Sequence, residues 1–166
     1  SLPNKEKKIF FVWPEGIIPN TYEDQLDLYN DIFEKYFNEN HLIGLGITSR
    51  KNLDDNYDYY NSFSIFDHKL NLIDNYNKIN LVPFGEFVPA ENILNKFGLK
   101  AITNNIGSFN KGDNRRIVHL KDGNKKLNFL PLICYEIIYS GNLTKNFDFD
   151  FILNISEDGW FGKSIG

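Results

Sequence analysis

Leu127 to Ile133 is an apolar run of strand length, interrupted by Asn128 and Pro131, and it stops at Cys134-Tyr135-Glu136. The run reads as a buried strand, and a thiol and a carboxylate arrive two residues apart where it breaks. A nucleophile held at the end of a rigid strand is a common way to present a reactive atom at the rim of a sheet. Free cysteine is also among the most buried residue types, so this stretch alone leaves Cys134 as either a reactive thiol or a small core residue.

The rest of the chain supplies a layered α/β pattern. Lys8–Trp13 is a second apolar strand, stopped by Pro14, with Glu15 at its carboxyl end. Thr21 to Asn40 predicts a helix with Thr21 as N-cap and Glu23 and Asp24 in its first turn. Leu26, Tyr29, Phe33, Tyr36 and Phe37 would form its apolar face. His41–Thr48 predicts a strand, Asn52–Asp58 a polar turn and Tyr59–Phe66 another strand. Asp67-His68-Lys69 then turns the chain into Leu70–Ile73. Tyr76 to Pro89 holds two prolines and a glycine within seven residues, which forbids a helix or a regular central strand. It predicts a stiff apolar loop carrying Lys78 and Glu86. Glu91–Phe97 predicts a short helix closed by Gly98. Arg115–Leu120 and Leu127–Cys134 predict a hairpin about Lys121-Asp122-Gly123-Asn124, and Asp150–Ile155 a last strand. Strand, helix, strand and hairpins in this order imply a mixed α/β layer fold.

Composition removes several classes. With 166 residues, 42% hydrophobic and 16% aromatic, the chain fits one folded domain. The net charge of −4, with no sustained basic stripe, gives no support for a nucleic-acid partner. No run reaches the roughly 18 apolar residues of a membrane span. A single cysteine excludes an internal disulfide. His41, His68 and His119 lack metal-like spacing, so no metal site is expected. There is no glycine-rich phosphate loop, no Gly-x-Ser-x-Gly elbow and no internal repeat.

Glu15, Lys78 and Cys134 each lie at or just beyond the end of an apolar run. A carboxylate, an ammonium and a thiol make a coherent acyl-transfer set. The first takes the thiol proton, the second meets a developing oxyanion, and the third is the nucleophile. Composition does not single these three out among 18 basic and 22 acidic residues.

Four sequence blocks do. They are Trp13-Pro14-Glu15, the stretch Tyr76 to Pro89 containing Leu81-Val82-Pro83-Phe84-Gly85-Glu86, Ile133-Cys134-Tyr135-Glu136, and Asp158-Gly159-Trp160-Phe161-Gly162 with Ser164. Ser108-Phe109 with Gly112 is a weaker fifth. On these blocks the chain resembles the nitrilase (carbon–nitrogen hydrolase) superfamily, and within it the apolipoprotein N-acyltransferase family. The resemblance implies a four-layer αββα sandwich and a Glu15–Lys78–Cys134 triad. It gives Glu86 a role supporting Lys78, sets Tyr135 and Glu136 beside the nucleophile, and puts Trp160 in a loop lining the acyl-substrate cleft. It implies a phospholipid acyl donor, a cysteine thioester, an apolipoprotein α-amine as acceptor and no cofactor. It also implies a bacterial inner-membrane parent with this domain facing the periplasm. Glu157 stands where the family usually has Asn.

The resemblance runs over nearly all of residues 1–166 but matches only the middle of the family's protein. It therefore predicts a partial domain, incomplete at both ends, with its membrane segments elsewhere and poor activity in isolation. A soluble amidase on a small amide and an inactive split-gene piece are the two other expectations.

Overall fold

The computed structural model describes residues 8–54, 56–89, 108–122, 125–142 and 148–157. Two sheets carry the fold. β1 (Ile9–Val12), β2 (His41–Leu53), β3 (Asn56–Phe66) and β4 (Leu72–Asn77) form the first, in sequence order. β1 is parallel to β2, and the other pairs are antiparallel. β5 (Val118–Asp122), β6 (Lys125–Ile133) and β7 (Phe151–Ile155) form the second, with β6 central, antiparallel to β5 and parallel to β7. A parallel pair needs a long crossover connection. The first crossover contains a 3-10 segment (Glu23–Tyr29) and α1 (Asn30–Tyr36), and the second begins with a 3-10 segment at Cys134–Asn142.

The sheets face each other across Phe63, Ile65 and Tyr76 on one side and Val118, Leu120, Phe129, Ile133 and Ile155 on the other. Each such side chain contributes about 1.5–3 kcal/mol on burial, so this layer is the main apolar store of the fold. On the opposite face of the first sheet, Ile43, Leu45, Ile47 and Phe66 take Leu26, Tyr29, Phe33 and Phe37 from the first crossover. The expected helical stripe is thus real, with one exception: Tyr36 is 66% exposed. The expected single helix is a 3-10 segment followed by a short α-helix. Its leading residues are drawn down by the sheet, where Glu23 accepts hydrogen bonds from Ser64 and Asn75 and Asp24 pairs with Arg50 at 2.8 Å. The N-cap is Tyr22, one residue later than expected. Its N–H is met by the Gln25 side chain, while the Thr21 hydroxyl bonds Tyr29 instead.

The strands run longer than their apolar patterns. β2 and β3 continue through the expected polar turn 52–58 and are joined by a tight connection that begins with Asp54 at φ +49°. Aspartate tolerates that left-handed backbone, and the pairing of polar residues beyond the core costs little. Arg115 and Arg116 precede β5 and do not belong to it. The turn at Asp67 is as expected: its carboxylate accepts the N–H groups of Lys69 and Asn71 at 2.8 and 2.9 Å. The predicted helix 91–97 lies outside the described residues.

Glycine spacing in β2 decides where Glu15 goes. Ile43, Leu45 and Ile47 face the helical layer, so the intervening positions face the second sheet. A Cβ on Gly46 would stand 2.4 Å from the Pro14 carbonyl oxygen and 2.5 Å from the Glu15 Cα. The bare backbone there lets the segment after β1 lie directly on β2. Gly46→Ala is expected to destabilise by about 1–3 kcal/mol through a forced backbone shift, read as a lower urea midpoint. At Gly44 the nearest atoms belong to the Phe63 and Phe10 rings, so Gly44→Ala is expected to cost less.

Candidate active site

The period of β4 and its continuation places two functional groups on one face. Tyr76 and Lys78 are two residues apart and both point from the first sheet toward the end of β6. Lys78 is held through its backbone on both sides: its N–H donates to the Asn61 carbonyl at 2.8 Å, and its carbonyl accepts from Gly112 at 2.9 Å. Its side chain is 1% exposed. A buried ammonium requires partners, and Lys78 Nζ reaches Glu86 at 2.9 Å and Glu15 Oε1 at 3.4 Å. Burial works against the charged lysine, but Glu15 and Glu86 outweigh it and hold Lys78 protonated above the ordinary lysine range.

Glu86 is presented by a tight turn. Its N–H donates to the Val82 carbonyl, and its Oε2 accepts the Val82 N–H at 2.8 Å. The Glu86 carbonyl accepts from Phe109, so the weak Ser108–Gly112 block braces both Glu86 and Lys78. The Asn61 side-chain amide bridges the carboxylates, donating to Glu15 Oε1 and to Glu86 Oε1.

Cys134 follows the last residue of β6 with φ +52°, a left-handed conformation that costs a non-glycine residue on the order of 1–3 kcal/mol. The bend turns its sulfur into the space between the sheets, next to Glu15 and Lys78, where the Tyr135 N–H and the Ser156 side chain hydrogen-bond it. Burial and then the Glu15 charge push the thiol above its ordinary value, more than Ser156, Lys78 and the Tyr135 N–H pull it down. The resting arrangement is therefore a neutral thiol with the Glu15 charge nearby.

Glu136 holds this arrangement in place from behind. It has no solvent exposure, and its two oxygens accept from Tyr76 Oη at 2.9 Å, Ile79 N at 2.8 Å, Asn80 N at 3.0 Å and Ile133 N at 3.0 Å. Arg115 adds an ion pair at 3.2 Å. Burial, and then the Glu136 charge, push the Tyr76 hydroxyl well above the ordinary phenol value, so it stays a donor.

Glu15, Lys78, Glu86 and Cys134, picked out in the sequence, converge in space. Tyr135 does not join them through its side chain, which is 49% exposed and packs edge-on against Tyr139. Glu136 faces the strand ends, away from solvent. Trp160 lies outside the described residues. Tyr76 and Gly112 stand in the motif blocks, but their contacts were not read from them, and sequence reasoning singled out neither Asn61, Gly46 nor Arg115 for the site. Gly44 and Gly46 alternate with apolar residues in β2, and the crossing of Glu15 over Gly46 is what gives that alternation its meaning. Nothing in the local pattern distinguishes Asn61 from the chain's many other asparagines.

The carbon-nitrogen hydrolase family model matches residues 12–166. The chain belongs to the carbon–nitrogen hydrolase family. It is similar to the apolipoprotein N-acyltransferase of Rhizobium leguminosarum, 34% identical over 96% of this chain and 30% of that protein. That of Rhizobium rhizogenes is 36% identical over 93% of this chain and 29% of its own length. The chain thus spans about 30% of the length of these relatives. In fold it is similar to a CN-hydrolase superfamily protein from Xanthomonas campestris, with TM-score 0.51 and 13% identity over 93% of this chain and 53% of that one.

Two outcomes follow from this geometry. Glu136→Ala strands four buried donors and a guanidinium, and is expected to cost about 3–5 kcal/mol, measured by urea unfolding. The second concerns Cys134, whose folded value is raised, so the unfolded chain loses its thiol proton first. The thiol's contribution to stability is complete below the ordinary thiol value and disappears as pH rises through the folded value. Urea midpoints at about pH 8 and pH 10 should fall more for the parent chain than for Cys134→Ala.

Proposed function

We propose that this chain is the catalytic part of an apolipoprotein N-acyltransferase, with Glu15, Lys78 and Cys134 as its catalytic residues. The observation that carries the reading is the convergence of a buried Glu15–Lys78–Glu86 cluster on a left-handed cysteine at a strand end. The likeness to apolipoprotein N-acyltransferases at 34–36% identity supports a lipid acyl donor and a lipoprotein acceptor over a small amide.

In the first half-reaction Cys134 Sγ attacks the sn-1 ester carbonyl of a phospholipid while its proton passes to Glu15. The carbonyl oxygen takes up the negative charge beside the Lys78 ammonium and the Tyr135 N–H. Collapse breaks the ester C–O bond, and the leaving alkoxide recovers the proton from Glu15 as a lysophospholipid. In the second half the α-amine of a diacylglyceryl-cysteine attacks the thioester and loses a proton to Glu15. The C–S bond then breaks and the thiolate is reprotonated. Lys78 stays cationic because the Glu86 carboxylate faces it at every step, joined by Glu15 whenever Glu15 is unprotonated, and Glu86 fixes its position. Tyr135 contributes its backbone, and Trp160 belongs to the loop assigned to the acyl cleft. The chemistry requires no cofactor.

In this proposal residues 1–166 are part of a four-layer αββα domain, of which the helical layer and both sheets are described above. The parent protein is anchored in the bacterial inner membrane with this domain on the periplasmic face. No described helix is long and apolar enough to cross a membrane. Incubation with a phospholipid carrying a fluorescent sn-1 chain should leave a hydroxylamine-sensitive label on Cys134 and none on Cys134→Ala. Ammonia release from simple amides without labelling would favour an amidase. A folded chain that does neither would be a piece without catalysis.

A further inference from the structure

Among the described residues, Asn61 is the one neutral side chain that touches both carboxylates of the cluster, and nothing in the mechanism above uses it. It projects from β3 on the same face as Phe63 and Ile65, toward the second sheet, and is 8% exposed. Its Nδ2 donates one hydrogen to Glu15 Oε1 and the other to Glu86 Oε1. Its backbone carbonyl, separately, accepts the Lys78 N–H at 2.8 Å. A primary amide has two N–H groups about 120° apart, which suits it to hold two oxygen acceptors side by side. Lys78 Nζ is much farther from Glu15 than from Glu86, at 3.4 against 2.9 Å. The ammonium therefore anchors Glu86 well and Glu15 poorly, and the amide makes up the difference.

We propose that Asn61 is the positioning residue for Glu15, fixing its Oε1 next to the Cys134 thiol so that the proton can pass between them. This rests on the reading of Glu15 as the base. Without the amide, Glu15 would keep only its long contact to Lys78, and, on a segment laid over bare Gly46 backbone, its side chain would be free to turn away from the sulfur. The groups that bear on the thiol are Glu15 after β1, Lys78 after β4, the Tyr135 N–H and Ser156 after β7, with Glu86 paired to Lys78. Tyr76, Glu136 and Arg115 form the next group, behind the cysteine backbone. Tyr60, with Asp58 and Asp113 nearby, is the neighbouring group on β3.

The sole cysteine of the chain makes this testable without any turnover, because iodoacetamide alkylation against pH reads the Cys134 thiol alone. Glu15 raises that thiol by its charge, so Glu15→Gln should lower the alkylation midpoint. Asn61→Ala should lower it in the same direction. The deciding measurement is the double variant. If Asn61 acts by placing Glu15, Asn61→Ala has no further effect once Glu15→Gln is present. An unmoved midpoint in Asn61→Ala, or a shift that persists in full on the Glu15→Gln background, overturns the proposal. Asn61→Ser, which keeps one donor, should give a partial shift and replaces Asn61→Ala in the cycle if that variant does not fold. Failure of phospholipid labelling together with a non-additive cycle would remove the acyltransferase reading and leave the role of Asn61 standing.

Discussion

A single buried carboxylate joins the two sheets beside Cys134 and Lys78. Glu136 accepts the Ile133 N–H from the end of β6 and the Ile79 and Asn80 N–H groups from the segment after β4. These three donors flank Cys134 and Lys78 in sequence. Holding them on one pair of oxygens fixes the distance between the backbones of Cys134 and Lys78. A desolvated carboxylate is costly unless its acceptor capacity is filled, and here four neutral donors and Arg115 fill it. The same arrangement explains why the 3-10 segment begins directly at Cys134: the carboxylate reaches back three residues to the strand it has just left.

The front of the site uses opposite means. Glu136 gathers neutral donors, whereas Lys78 gathers anions, and Asn61 separates the two carboxylates that share it. Both clusters depend on the strand period that sends Tyr76 and Lys78 to the same side. A one-residue register slip of β4 would turn both away from β6. The bulge between Ile65 and Phe66 in the β3–β4 pairing lies ahead of these positions, so their register is set after it.

The sequence made the apolar strands legible because burial imposes a pattern on every residue of a strand. Leu127–Ile133, Lys8–Trp13 and Asp150–Ile155 were found within one or two residues, and the stripe Leu26–Tyr29–Phe33–Phe37 marked the helical layer. Polar strand ends were not legible: at Lys51–Leu53 and Asn56–Asp58 backbone pairing alone continues the hairpin. Nor was the break in the first crossover, since the sheet captures Glu23 and Asp24 through contacts distant in sequence. The charged members of the site were recovered from their motif blocks. Asn61 and Gly46 stand in no block, and the roles of Tyr76 and Gly112, which do, were not legible because they exist only across strands.

The left-handed backbone of Cys134 sets chemistry and robustness against each other. The bend that turns the sulfur away from the strand axis is one that glycine adopts at no steric cost and cysteine does not. A chain released from the need to react would be more stable with glycine at position 134. If Cys134 is the nucleophile proposed above, only use maintains the cysteine there, so a lineage that abandoned the reaction should lose this residue early, while Glu136, which the fold itself needs, should outlast it.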